Sequence, residues 1–176
     1  FDEDLTGWDT SGVTDMKRMF YSATAFNSPL AFDTSSVITM VQVFGSADAF
    51  NQPLVFDTRR VTDMRYMLTD AASFNQPLVF DTSSVTSMAD MFTGTTALGD
   101  CNKRQIEDSL SASTAWAAAG YDWSLFAQYG CPFAPVDKAA LQAALSFWNT
   151  NATAAASTYV GAVGTWDVQA ITNYYE

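Results

Sequence analysis

Apolar residues recur along the first hundred positions at a fixed interval of 24. Val13, Val37, Val61 and Val85 open each run, and Met16, Met40, Met64 and Met88 follow three residues later. Next come Met19, Val43, Met67 and Met91, each followed directly by Phe20, Phe44, Leu68 or Phe92. Small residues stand at Ala23, Ala47, Ala71 and Thr95, and Phe26, Phe50, Phe74 and Leu98 close the pattern. The string FNQPLVFDT at 50–58 returns unchanged at 74–82, with the variant FNSPLAFDT at 26–34. Val61, Met64, Met67 and Leu68 fall at helical spacing, and a Thr or Ser just ahead can cap such a turn. Leu54 and Phe56 alternate as in a strand, with Pro53 at its first position, where a missing amide proton is tolerated. A period of 24 is too short for a helix pair and fits one coil. The pattern therefore predicts an α/β solenoid of four coils over residues 1–98, its short parallel strands about 4.8 Å apart. No single coil can bury its apolar stripe, whereas stacked columns of Phe, Met and Leu make one core.

After Leu98 the period breaks, because Gly99-Asp100-Cys101 stands where Asn-Gln-Pro is due. An open repeat end needs covering. Asn102 to Ser111 has Ile106 and Leu110 spaced to face inward, and Trp116, Tyr121, Trp123, Phe126 and Tyr129 supply bulky cover. Residues 99–135 are thus predicted to be a cap, closed by a disulfide between Cys101 and Cys131. Two buried free thiols are the alternative. Residues 136–165 read as a helical linker, in which Leu141, Ala144, Leu145 and Trp148 share a face. Trp166-Asp167-Val168 with Ile171-Thr172-Asn173 restarts the repeat over 166–176, which predicts a longer tandem array.

Charge and composition then narrow the function. Acidic residues number 19 against 8 basic, a net charge of -11, so phosphate-rich partners such as nucleic acid are repelled. Histidine is absent, which excludes His-dependent nucleophilic sites and His-based zinc sites. No apolar run reaches the roughly 18 residues that span a bilayer. A disulfide, worth roughly 3–4 kcal/mol through loop-closure entropy, would place the chain in an oxidising compartment.

The string FDTSSVTSMADMF at 80–92, with its siblings, resembles the BspA-like, leucine-rich-repeat-type surface proteins built from short repeats of the form W/F-D-T-S-x-V-T-x-M-x-x-M-F. The resemblance covers residues 5–98 most strongly. It implies a leucine-rich-repeat-like fold, an extracellular or cell-surface location, an adhesive role and no catalytic site. Ile38, Val43 and Leu68 depart from the pattern by near volume-conserving changes, and Arg59-Arg60 replaces Ser-Ser.

Four sets of residues carry candidate chemistry. Asp9, Asp33, Asp57 and Asp81 form a column that could hold calcium, a hard cation preferring oxygen ligands. The competing and favoured reading is structural: an Asp ahead of Thr-Ser-Ser accepts local amides in an Asx-turn. Asn27, Asn51 and Asn75 are expected to form a structural ladder. Regularly spaced hydroxyls at Thr10, Thr34, Thr58 and Thr82 could suit an ordered water lattice, and Trp116, Trp123 and Trp148 could stack on sugars, although capping is the commoner duty of such rings. Asn151 heads a glycosylation sequon that chance alone would supply. The sum is a non-catalytic extracellular module for adhesion or recognition, with neighbouring copies of the array, a surface protein or a glycan as partners. The alternative is a segment of an extracellular filament built by end-to-end stacking.

Overall fold

The computed structural model describes residues 2–5 and 7–125, which belong to one compact unit, Phe1–Phe126. Expectations resting on Cys131, the 136–165 linker, Trp148, Asn151 and the restart at 166–176 lie outside the described residues.

The α/β solenoid is overturned. Neither the short helix nor the parallel strand forms in any copy. Three isolated parallel bridges, Asp15 to Thr39, Thr39 to Asp63 and Asp63 to Ser87, are the strand pairing seen among the described residues. Both helices follow the repeats: α1, Asp100–Leu110, and α2, Thr114–Ala118. The repeats themselves are built from turns.

The physical reason lies in backbone angles. Arg18, Gln42, Tyr66 and Asp90 have φ of 54 to 60°, and four residues on, Ser22, Ser46 and Asp70 have φ of 55 to 56°. Left-handed residues end an α-helix. Helical spacing of the apolar residues therefore survives while the i to i−4 bonding does not. Gly94 completes the second column at φ 75°; a Cβ there would lie 2.0 Å from Asp70 Oδ1.

Buried backbone amides must find partners, and here they alternate between two destinations. In the second copy Met40, Gln42, Phe44 and Ser46 donate to the carbonyls of Asp63, Arg65, Met67 and Thr69 in the third, at 2.8 to 3.0 Å. The intervening Gly45 and Ala47 donate three residues back, to Gln42 and Phe44. The same alternation links the first copy to the second and the third to the fourth. A reverse set runs from Ile38, Thr62 and Thr86 to Thr14, Ile38 and Thr62, each at 2.8 Å. Along 53–57 and 77–81 the amides make none of these copy-to-copy bonds. That is why no strand forms there.

The core follows the apolar columns. Val37, Met40, Val43, Phe44, Ala47 and Phe50 of the second copy are wholly buried, as are Val61, Met64, Met67, Leu68, Ala71 and Phe74 of the third. The Phe rings stack nearly parallel: Phe44 lies 4.0 Å from Phe50, and Phe50 lies 5.9 Å from Phe26 and 6.1 Å from Phe74, centroid to centroid. Such pairs add about 0.5–1.5 kcal/mol each beyond their burial.

α1 buries Ile106 and Leu110 against this core, and α2 buries Ala115 and Trp116. Ser113 caps α2 by accepting the Trp116 amide. Phe92 of the fourth copy meets Trp116, Tyr121 and Trp123 at 6.1, 5.8 and 5.2 Å. Among the described residues no helix is long and apolar enough to cross a membrane.

Candidate functional surface

Three polar columns edge the core, and each is placed by its own local chemistry. In the Asp column every carboxylate closes a turn on the residue two ahead. Asp9 accepts the amide and hydroxyl of Ser11, and Asp33 and Asp81 accept the amides of Ser35 and Ser83. Asp57 accepts the Arg59 amide and is gripped by its guanidinium. These bonds hold all four carboxyls below their ordinary value, the Ser hydroxyls leading at Asp9, Asp33 and Asp81 and the Arg59 side chain at Asp57. Repulsion between neighbours acts the other way: Asp33 is pushed up by Asp57 and Asp9. Arg59, where the other copies have Ser, therefore sets a cation inside the column.

The carboxylates are stacked in line and do not converge. Among the described residues no three His, Cys, Asp or Glu side chains come together to hold a metal ion. Each Asp closes its own turn.

The Thr column is not a water-facing surface. Thr10, Thr34 and Thr58 are buried, their hydroxyls donating to the carbonyls of Asp33, Asp57 and Asp81 at 3.1, 3.1 and 2.9 Å. They bond one copy to the next.

Asn27, Asn51 and Asn75 form a continuous chain of acceptors. Asn27 Oδ1 takes the Asn51 amide, Asn51 Oδ1 takes the Asn75 amide, and Asn75 Oδ1 takes the Gly99 amide, each at 2.8 Å. Gln52 and Gln76 reinforce it, each donating Nε2 to the carbonyl and Oδ1 of the Asn one copy earlier. Three further members were not read from the sequence. Asp2 starts the chain by accepting the Asn27 amide and the Ser28 hydroxyl, both at 2.8 Å. Gly99 and Asn102 end it, with Asn102 Nδ2 taking the Gln position on Asn75. The pairing of Asn with Gln at the next position, at 51–52 and 75–76, is the signal that could have shown the second bond.

Outward from these columns lie apolar side chains with no packing duty. Val55 is 89 % exposed and Val79 72 %, at equivalent positions of adjacent copies. Each sits two residues before a column Asp, so an apolar step is flanked by Asp57 and Asp81. Trp8, in the first copy, is 53 % exposed and stacks on Phe32 at 6.4 Å. Trp116 is buried, which removes it as a sugar platform, and Trp123 is half-buried against the same cluster.

These features define a class: a repeat protein whose copies are joined by turn-built ladders, with a column of exposed carboxylates along its outer face. Residues 1–108 match the family described as "Mycoplasma protein of unknown function, DUF285", and the chain belongs to that family. Neither a curated protein nor a solved structure matches the chain.

Proposed function

We propose that this chain is a non-catalytic recognition module of the BspA-like type, displayed outside the cell and binding a surface protein or glycan. The observation that carries this reading is the pair Val55 and Val79, bare on a backbone fixed by copy-to-copy bonds. Exposed apolar groups on a rigid acidic frame suit binding, because little ordering entropy is lost on contact. Asp57 and Asp81, each two residues along the chain from an exposed Val, and Arg59 bonded to Asp57 supply charge that can select a partner.

The test is binding of the full chain to arrays of extracellular proteins and of glycans, repeated with Val55→Ser/Val79→Ser. Both positions point away from the core, so this variant should fold as the parent does. Retention of full binding by the double variant on every hit would remove the patch as the recognition surface. Absence of any hit on both arrays would remove the recognition role.

A further inference from the structure

The segments 51–58 and 75–82 are tied to each other at both ends. Asn51 Oδ1 takes the Asn75 amide at 2.8 Å, and Thr58 Oγ1 donates to the Asp81 carbonyl at 2.9 Å. Val55 and Val79 stand midway, so the two positions are neighbours across one copy step. Leu54, Phe56, Leu78 and Phe80 on either side of them are buried, while Val55 and Val79 are exposed. Ala31, the same position one copy earlier, is exposed too. The result is a short aliphatic row on a fixed backbone.

Two residues on from each member of that row stands a column carboxylate: Asp33, Asp57 and Asp81. They are close enough to repel one another, since Asp57 pushes upward on the carboxyls of both Asp33 and Asp81, against the turn bonds that lower them. Among the described residues Asp57 alone of the three has an ion pair. Arg59 donates Nε to Asp57 Oδ1 at 3.0 Å and Nη2 to Oδ2, a two-pronged grip. Its charge also reaches Asp81. Ser35 and Ser83 stand at the Arg59 position in the flanking copies. Asp57 thus displays how a guanidinium sits on this column, and Asp33 and Asp81 present the same carboxylate with a hydroxyl beside it.

The chemistry of the face selects its partner. An aliphatic row offers no ring for a sugar to stack on, and phosphates and anionic glycans are repelled by carboxylates. Arginine answers both features in one side chain: an aliphatic stem that lies on apolar surface and a planar head that meets a carboxylate with two bonds. The residues after 125 hold a single basic residue, Lys138, so that stretch does not supply a row of cations. We propose that this face binds an arginine-bearing segment of a partner protein, its guanidinium groups on Asp33 and Asp81 and its apolar stems on Val55 and Val79. This rests on the recognition role above and narrows its partner to a cationic protein segment. Arg59 is then a built-in competitor that occupies one place on the column.

The experiment is fluorescence anisotropy with the full chain and three labelled synthetic peptides of one length, alternating Arg with Leu, Arg with Ser, and Glu with Leu. The parent should bind the Arg/Leu peptide about tenfold more tightly than either of the others. Val55→Ser/Val79→Ser should bring the Arg/Leu and Arg/Ser peptides to one affinity. Asp33→Asn/Asp81→Asn, which keeps an oxygen for each turn, should weaken the Arg/Leu peptide about tenfold, the order that two exposed charge pairs supply. Arg59→Ser, matching the flanking copies, should tighten it severalfold by releasing Asp57. Cooperative thermal unfolding checks that each variant folds. The proposal is overturned if the Arg/Leu peptide does not bind, if Glu/Leu binds as well, if the preference over Arg/Ser survives Val55→Ser/Val79→Ser, or if Arg59→Ser gives no gain. The recognition role is judged separately: array hits lost in Val55→Ser/Val79→Ser yet unchanged in Asp33→Asn/Asp81→Asn leave it standing and remove the arginine-bearing partner.

Discussion

Replacing Asn51 by Ala removes the middle acceptor of the Asn chain and nothing from the core. Two donors lose their partner: the Asn75 amide at 2.8 Å and one bond of Gln76 Nε2 at 3.1 Å. Gln76 keeps its bond to the Asn51 carbonyl, so the amide of Asn75 bears most of the loss. Net hydrogen-bond contributions of about 0.5–1.5 kcal/mol each give a destabilisation of about 1–2 kcal/mol. Asn51→Asp supplies the decisive comparison. It keeps an oxygen at the same place, the arrangement Asp2 already uses toward Asn27, and removes only the side-chain NH2. The expected order in urea is therefore parent about equal to Asn51→Asp at neutral pH, with Asn51→Ala lower in midpoint at an unchanged slope. Equal midpoints for Asn51→Ala and the parent, within about 0.5 kcal/mol, would refute the ladder as a stabilising element. A loss in Asn51→Asp as large as in Asn51→Ala would show that the NH2, not the oxygen, matters.

The carboxyls of Asp9, Asp33, Asp57 and Asp81 lie below 3.8 in the folded chain. A depressed folded value means stability that is present above the unfolded value and lost as pH falls through the folded one. Urea midpoints should therefore hold steady down to about pH 4 and decline below it, and Asp33→Asn should flatten that decline. Phe50→Ala opens a hole between Phe26, Phe44 and Phe74 and should cost about 3–5 kcal/mol in the same assay. Because the column Asp side chains do not converge, adding calcium or a chelator should leave the thermal midpoint unchanged; a chelator-reversible rise would restore the metal reading.

How much of this was legible depended on what the sequence signal reports. Periodicity reports which side chains are buried together, and at Met40, Val43, Phe44 and Phe50 it named wholly buried residues. It does not report backbone angles. Val61, Met64, Met67 and Leu68 have helical spacing, yet Tyr66 and Asp70 at positive φ turn the chain out of the helix between and after them. Nothing in Arg18, Gln42, Tyr66 and Asp90 marks a left-handed position, since only at Gly94 does the residue type give the conformation away. The Leu54–Phe56 alternation was equally real but had no pairing partner. Burial of Thr10, Thr34 and Thr58 was hidden for a related reason: a Thr two positions after an aromatic can face either way until its hydroxyl finds a carbonyl. Ile106 and Leu110 faced inward as their spacing implied, because α1 has no left-handed residue to interrupt it.

Most of the repeated string FNQPLVFDT can now be assigned residue by residue, and the Val left over is informative. Phe50 and Phe74 stack; Asn and Gln bond the preceding copy; Leu54 and Leu78 fill the core with Phe56 and Phe80; Asp closes its turn; Thr58 crosses to the next copy. The variant copy differs at Ser28, and the reason is local: Asp2, not an Asn, precedes it, and the shorter hydroxyl reaches that carboxylate. The second difference is Ala31 in place of Val55 and Val79. No contact explains a Val there, since burying one would stabilise the fold by about 1.5–3 kcal/mol and leaving one bare stabilises nothing. The third and fourth copies thus hold an apolar group where folding asks for none. A position free of folding duty is where a binding preference can be written without disturbing the ladder beneath it.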